Sequence, residues 1–182
     1  MHIKSILKIG VSLIAFALSQ TSFAEGYWGV GGGLTSWNIT PQSGAYDLQN
    51  GPTLDALLGL RSTHFAIEGE FSFSIHDWSS NSDNYDSVGN FIVAGLAILP
   101  LGQTFEIYAK AGADYWSTNI HANGSTYDGD SGTAFVGGVG ARMALNDIAS
   151  LRLEYKQVNG ISDGLDEGNI GQTTLLVIIR IK

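Results

Sequence analysis

Residues 65–75 read Phe65-Ala66-Ile67-Glu68-Gly69-Glu70-Phe71-Ser72-Phe73-Ser74-Ile75, and their alternation decides the fold class. Phe65, Ile67, Gly69, Phe71, Phe73 and Ile75 share one parity; Ala66, Glu68, Glu70, Ser72 and Ser74 share the other. Successive side chains of a strand point to opposite faces, so this segment is an extended strand with one apolar and one polar face. A helix would scatter the same residues around its circumference.

The pattern recurs along the chain. Phe105, Ile107, Ala109, Ala111, Ala113 and Tyr115 oppose Glu106, Tyr108, Lys110, Gly112, Asp114 and Trp116; Leu151, Leu153 and Tyr155 oppose Arg152, Glu154 and Lys156. Leu54, Ala56, Leu58 and Leu60 oppose Asp55, Gly59 and Arg61, while Leu175, Val177, Ile179 and Ile181 oppose Gln172, Thr174 and Arg180. Phe135, Val139, Ala141, Met143 and Leu145 oppose Gly138, Gly140 and Arg142. Eight strands follow, at roughly 26–39, 53–62, 64–75, 88–99, 104–118, 132–145, 150–158 and 170–182. The fourth, Phe91–Leu99, is apolar on both faces, so alternation leaves its orientation open. The expected connections alternate: 41–50, 77–87, 119–131 and 159–168 are long and polar, whereas 63, 100–102 and 146–149 are short. Long loops at one end and tight turns at the other predict an all-β, eight-stranded antiparallel up-and-down transmembrane barrel.

A soluble lipocalin-type barrel has the same alternation with its faces exchanged. The charges favour the membrane form. On the polar faces stand Arg61, Lys110, Arg142, Arg152, Lys156 and Arg180 against Asp55, Glu68, Glu70, Glu106, Asp114 and Glu154, six of each sign. Charges enclosed by eight strands must find partners, because an unpaired ion out of water is costly. These twelve residues are therefore expected to form an interior polar network.

The chain begins with Lys4, Lys8, an apolar run from Ile9 to Leu18 and the triplet Ser22-Phe23-Ala24. That order predicts a signal peptide over 1–24, cleaved after Ala24, with the barrel domain over 25–182. Removal of the leader takes away two of the 9 Lys and Arg and none of the 17 Asp and Glu, which moves the formal charge from -8 to -10. So acidic a chain is no nucleic-acid binder. With no Cys, disulfides and thiolate chemistry are excluded, and no cofactor motif is present. Only 14% of residues are charged, well under the roughly 25% of soluble domains, which agrees with a surface partly covered by lipid.

Nine acids fall in the expected long loops: Asp47, Asp77, Asp83, Asp86, Asp128, Asp130, Asp163, Asp166 and Glu167. Polar loops in water account for most such residues. Asp128, Asp130, Asp163, Asp166 and Glu167 are nonetheless candidate ligands for divalent cations bridging to lipopolysaccharide phosphates.

Two stretches carry a family resemblance. Ala109-Lys110-Ala111-Gly112-Ala113-Asp114-Tyr115-Trp116 resembles a strand of OmpA-like outer membrane β-barrels, the small eight-stranded members of the porin family, and the Gly-rich opening Gly26-Tyr27-Trp28-Gly29-Val30-Gly31-Gly32-Gly33 is similar too. The resemblance implies an antiparallel barrel in the bacterial outer membrane with both termini in the periplasm. Where such chains usually end on an aromatic residue, this one ends Ile179-Arg180-Ile181-Lys182. The expected partners are outer-membrane lipid and lipopolysaccharide, with a host or phage ligand at the loops.

A barrel enzyme acting on lipid A would need a Ser and His within reach near the outer leaflet. Ser74 with His76, and Ser117 with Asn119 and His121, share faces at strand ends. Neither set has the His-x-Ser-Asn order of lipid A deacylases, so no enzyme is expected. A structural or surface-interaction barrel ranks first, then a small channel, then a lipid-modifying enzyme or a soluble lipocalin-type binder.

Overall fold

The computed structural model describes residues 25–39, 50–78, 81–122, 125–162 and 167–181. They form eight strands: β1 Glu25–Ile39, β2 Gly51–Arg61, β3 Phe65–Trp78, β4 Asn81–Pro100, β5 Phe105–Ala122, β6 Ser125–Ala144, β7 Ala149–Ser162 and β8 Glu167–Ile181. Every neighbouring pair is antiparallel, and β8 returns to β1 to close the barrel. Through the barrel wall each strand is paired on both sides, which is the condition for a sheet to stand in hydrocarbon.

Side chains obey the pleat. Leu54, Leu58, Phe65, Val139 and Leu153 are each more than half exposed. Glu68, Glu154 and Lys156 are buried. Apolar side chains therefore face outward and charges inward, the inverse of a water-soluble barrel. β4 takes its orientation from closure: Phe91, Val93 and Leu99 point out, and Ile92, Ala94, Leu96 and Ile98 point in. Both of its faces are apolar because its inward residues fill space between polar layers. Leu96 and Ile98 join Tyr27, Ala66, Tyr108 and Ile178 in one buried cluster. Ile92 and Ala94 join Val88, Trp116, Val136, Val158 and Ile170 in another.

Glu25, Ile181 and the three short turns lie at one end, here called the turn end. Gly102 sits in the β4–β5 turn with φ of 97°, a backbone conformation that side chains with a Cβ rarely adopt. In the β6–β7 turn Asn146 Oδ1 accepts from the amides of Ile148 (3.0 Å) and Ala149 (2.8 Å).

At the far end the strands run beyond the expected limits. Most of the segments read as loops over 77–87, 119–131 and 159–168 are paired strand: Tyr85 lies opposite His121, and His121 opposite Thr126. Backbone pairing continues past the last apolar alternation, because the ladder bonds do not depend on one face being apolar. The β5–β6 pairing shifts register between Ser117 and Asn119. There Thr118 Oγ1 donates to the Asp130 carbonyl (3.1 Å) and accepts from the Asp130 amide (3.0 Å), restoring two contacts at the irregularity.

Candidate functional site

The barrel interior is the candidate site. β3 and β7 are four strands apart in either direction around the closed sheet, so they stand on opposite walls. Arg152 of β7 reaches Glu68 of β3 through both terminal guanidinium nitrogens, one of them at 3.0 Å. Lys156 of β7 meets Glu70 of β3, and also Asp55 of β2 at 3.2 Å. Lys110 of β5 lies among Glu70, Glu154 (3.0 Å) and Glu68 (3.5 Å). Seven side chains thus make one continuous network across the lumen.

Tyr27 and Tyr108 complete it; alternation placed Tyr108 on the polar face, but neither tyrosine was among the expected network residues. Tyr27 Oη donates to Glu68, and Tyr108 Oη donates to Glu154 at 2.7 Å. The Arg152 guanidinium lies 4.5 Å from the centre of the Tyr108 ring, close enough for cation–π attraction. Each tyrosine occupies space that a glycine leaves open: a Cβ on Gly59 would collide with the Tyr27 ring, and one on Gly140 with the Tyr108 hydroxyl. The available signal was an inward glycine paired across the ladder with an inward tyrosine, Tyr27 with Gly59 and Tyr108 with Gly140.

The other expected network residues separate from this centre. Below it, Arg61 grips Glu106 through two contacts of 2.9 Å, and Arg142 bonds Ser150 (2.7 Å) and approaches Glu106 at 3.5 Å. Arg180 is partly exposed and meets Glu25 at 3.7 Å, a rim contact of little energetic weight. A cleft of about 410 Å³ opens beside this group at the turn end, lined by Arg61, Pro100, Glu106 and Arg180. Asp114 is buried, and neither carboxylate oxygen has a hydrogen-bond partner among the described residues.

Of the candidate divalent ligands, Asp163 and Asp166 lie outside the described residues, as do the side chains of Asp128 and Glu167. Asp130 is exposed. Among the described residues no three His, Asp or Glu side chains converge to hold a metal.

The Ser–His pair is internal. Ser74 Oγ lies 3.0 Å from His76 Nε2, and both side chains are buried on the inward face. An acyl chain in the outer leaflet meets the other face. That outer surface carries a groove of about 700 Å³ walled by Ala97, Leu99, Ile107, Val139 and Leu153, an apolar furrow suited to hydrocarbon. His121 instead stacks on Tyr85 (centroids 4.3 Å apart, planes at 18°) and bonds Thr126 at 2.9 Å, so it is held at the far end by two neighbouring strands.

Residues 9–177 match the family model for the outer membrane protein beta-barrel domain. The chain belongs to that family. Like other members of the outer membrane protein beta-barrel family, it is a protein of the cell outer membrane. It is 28% identical to outer membrane protein A of Klebsiella aerogenes, over 92% of this chain and 51% of that one, and 26% identical to outer membrane protein A of Yersinia pseudotuberculosis serotype I, over 88% and 49%. The chain therefore spans about half the length of these curated relatives. Its fold is similar to the crystal structure of Neisserial surface protein A (TM-score 0.68, 10% identity, covering 85% of this chain and 97% of that one). It also resembles Ail of Yersinia pestis in complex with the heparin analogue sucrose octasulfate (TM-score 0.62, 14% identity, 87% and 99%). The N-terminal β-barrel domain of OprF from Pseudomonas aeruginosa is a third solved relative in shape (TM-score 0.59, 9% identity, 87% and 100%).

Proposed function

We propose that this outer-membrane barrel is a sealed, non-enzymatic anchor that presents its far-end hairpins at the cell surface. Residues 1–24 are its export signal, removed after Ala24, and the turn end faces the periplasm. The observation that carries the reading is the pair of β7-to-β3 contacts, Arg152 with Glu68 and Lys156 with Glu70, which cross the lumen from wall to wall. Ion pairs crossing a space this narrow leave no continuous column of water, and eight strands enclose little more than their own side chains.

The surface role rests on charge. In the sequence, residues 77–87, 119–131 and 159–168 carry Asp77, Asp83, Asp86, Asp128, Asp130, Asp163, Asp166 and Glu167 and no Lys or Arg. Whereas Ail was crystallised with a polysulfated ligand, this end favours cations, including divalent ions bridging to lipopolysaccharide phosphate, or a cationic patch on a host or phage surface. The buried position of Ser74 and His76 argues against lipid hydrolysis, since a lipid ester would have to enter the lumen.

Proteoliposome swelling tests the seal. Vesicles containing the barrel are expected to swell in glycine or arabinose no faster than protein-free vesicles, and a rate that rises with protein content would overturn the sealed reading. Isothermal titration of the refolded barrel with calcium or magnesium tests the rim, and an absence of binding heat would remove the divalent-bridge proposal.

A further inference from the structure

The apolar belt is uneven around the barrel. On β5 the outward apolar residues run over 105–115, eleven residues, and a tilted strand needs about 9–11 to cross the hydrocarbon core. On β7 the outward apolar stretch covers only 149–155, seven residues. Beyond it Gln157 and Asn159 alternate with buried Lys156 and Val158, and both are half-buried on the outward face. Gln157 Nε2 donates to Asn159 Oδ1 at 2.9 Å. Among the described residues nothing else bonds Gln157 Oε1 or Asn159 Nδ2. Amide groups turned toward hydrocarbon without partners are costly, so β7 calls for a polar neighbour where β5 still meets acyl chains.

The polar patch continues onto β8 and β1. Asn169 lies opposite Asn159, and Gly171 lies opposite Gln157 on one side and Ser36 on the other. Ser36 Oγ donates to the Gly171 carbonyl at 3.3 Å. A Cβ on Gly171 would stand 3.1 Å from Ser36 Oγ and 3.3 Å from Tyr155 Oη, so the two hydroxyls edge a dent floored by backbone. The patch carries no charge: the Lys and Arg of the strands stand on the inward parity. Immediately toward the turn end lies the apolar furrow of about 700 Å³, with Ile107, Ala141 and Leu153 in its lining. Tyr155 and Thr173, opposite each other on β7 and β8, form its far-end margin on those strands. Furrow and patch therefore adjoin at Tyr155, whose ring borders the one and whose hydroxyl borders the other.

We propose that furrow and patch are the two halves of one site for a lipopolysaccharide molecule, with an acyl chain in the furrow and the hydroxyls and amides of the sugar headgroup bonded to Gln157 and Asn159. The site rests on the reading that the far end faces the cell surface, which sets the patch in the outer leaflet. A carboxamide offers both a donor and an acceptor, which suits sugar hydroxyls and acyl amides. A phospholipid headgroup is the poorer match, because its phosphate is recognised best by Arg or Lys, and neither stands on this face. The site differs from the acidic rim: it lies on the barrel wall, it uses no carboxylate and it needs no divalent ion.

The barrel is reconstituted in phosphatidylcholine nanodiscs doped with rough-type lipopolysaccharide or, in parallel, with phosphatidylglycerol, and the lipid still bound after release is counted by native mass spectrometry in the presence of chelator. The wild type is expected to retain one lipopolysaccharide and no phosphatidylglycerol. Ala141→Trp, which fills the furrow, and the double variant Gln157→Leu with Asn159→Leu, which removes the headgroup contacts, are each expected to lower retention at least tenfold. Val93→Trp, on the outward face away from the furrow, is expected to leave it unchanged. Heat-modifiable migration checks that each variant is folded, and should Ala141→Trp not fold, Leu153→Trp blocks the furrow from the next strand. Equal retention of the two lipids by the wild type, or retention that survives both the furrow and the patch variants, would overturn the proposal. Thr126→Cys, labelled by an impermeant maleimide on intact cells, tests the orientation separately: labelling without lipopolysaccharide retention removes the lipid site alone, whereas no labelling removes the surface reading together with the site.

Discussion

Arg152 and Glu68 meet across the full width of the barrel, two guanidinium nitrogens against two carboxylate oxygens, although they stand on strands that share no ladder. The contact joins opposite walls at a level where Tyr27 also donates to Glu68, and Tyr108 donates to Glu154, a second carboxylate that Arg152 meets. Removing one partner of a buried, hydrogen-bonded pair leaves an uncompensated charge and costs about 3–5 kcal/mol. Glu68→Ala and Arg152→Ala are each expected to destabilise the refolded barrel by that amount in urea titrations. The double variant Glu68→Leu with Arg152→Met is expected to recover most of the loss. Single-variant losses under about 1 kcal/mol would mean the pair is screened by water.

Gly140 carries a second prediction. A methyl group there strikes the Tyr108 hydroxyl, so Gly140→Ala must displace the ring that holds Glu154. Overpacking of this kind costs about 1–3 kcal/mol. Adding Tyr108→Phe, which removes the obstructing oxygen, is expected to return part of it in a double-mutant cycle. Gly69 and Gly95 have open space around the position of a Cβ, and alanine at either is expected to be neutral within about 0.5 kcal/mol.

The lipid band can be mapped along a single strand. Val139 of β6 is outward and 58% exposed, and Val139→Arg is expected to cost about 2–4 kcal/mol on folding into vesicles, as for a charge near the bilayer midplane. Thr126 lies on the same strand, paired with His121 at the far end. Thr126→Lys is expected to cost less than about 0.5 kcal/mol. Equal penalties at the two positions would place the far-end hairpin inside the membrane.

Thr118 supports the register shift in β5–β6 through its two bonds to the Asp130 backbone. Thr118→Val removes both with little change in shape and is expected to cost about 1–2 kcal/mol. Amide hydrogen exchange is expected to accelerate over 115–133 and to leave β7 and β8 unchanged. Acceleration spread evenly over all eight strands would contradict a local role.

Alternation made the eight strands and most of their facing legible, because lipid on one side and a narrow lumen on the other impose opposite polarities on successive residues. It was silent on β4, where inward Ile92, Leu96 and Ile98 fill an apolar layer and outward Phe91 and Val93 meet lipid. It also ended β5 too early at Thr118 and started β4 and β6 too late at Val88 and Gly132, where pairing extends beyond the alternation. Sign balance on the polar faces grouped twelve charges as one set. In three dimensions the set divides by height: seven side chains cross the centre, Asp114 is buried four residues beyond Lys110 toward the far end, Arg61, Glu106 and Arg142 lie toward the turns, and Arg180 reaches the rim beside Glu25. Height depends on strand tilt and stagger, which no single strand's pattern contains. Counting charges left Tyr27 and Tyr108 out of the network, although alternation put Tyr108 on the polar face, because a neutral hydroxyl adds nothing to a sign balance.

Single-channel recording in planar bilayers, comparing the wild type with Lys110→Ala and with Arg152→Ala, tests the sealed lumen most directly. The account predicts a silent wild type and brief conductance events in the variants, where one tether between the walls is lost. Steady, ohmic steps from the wild type, altered in size by substitution at Lys110, would contradict it.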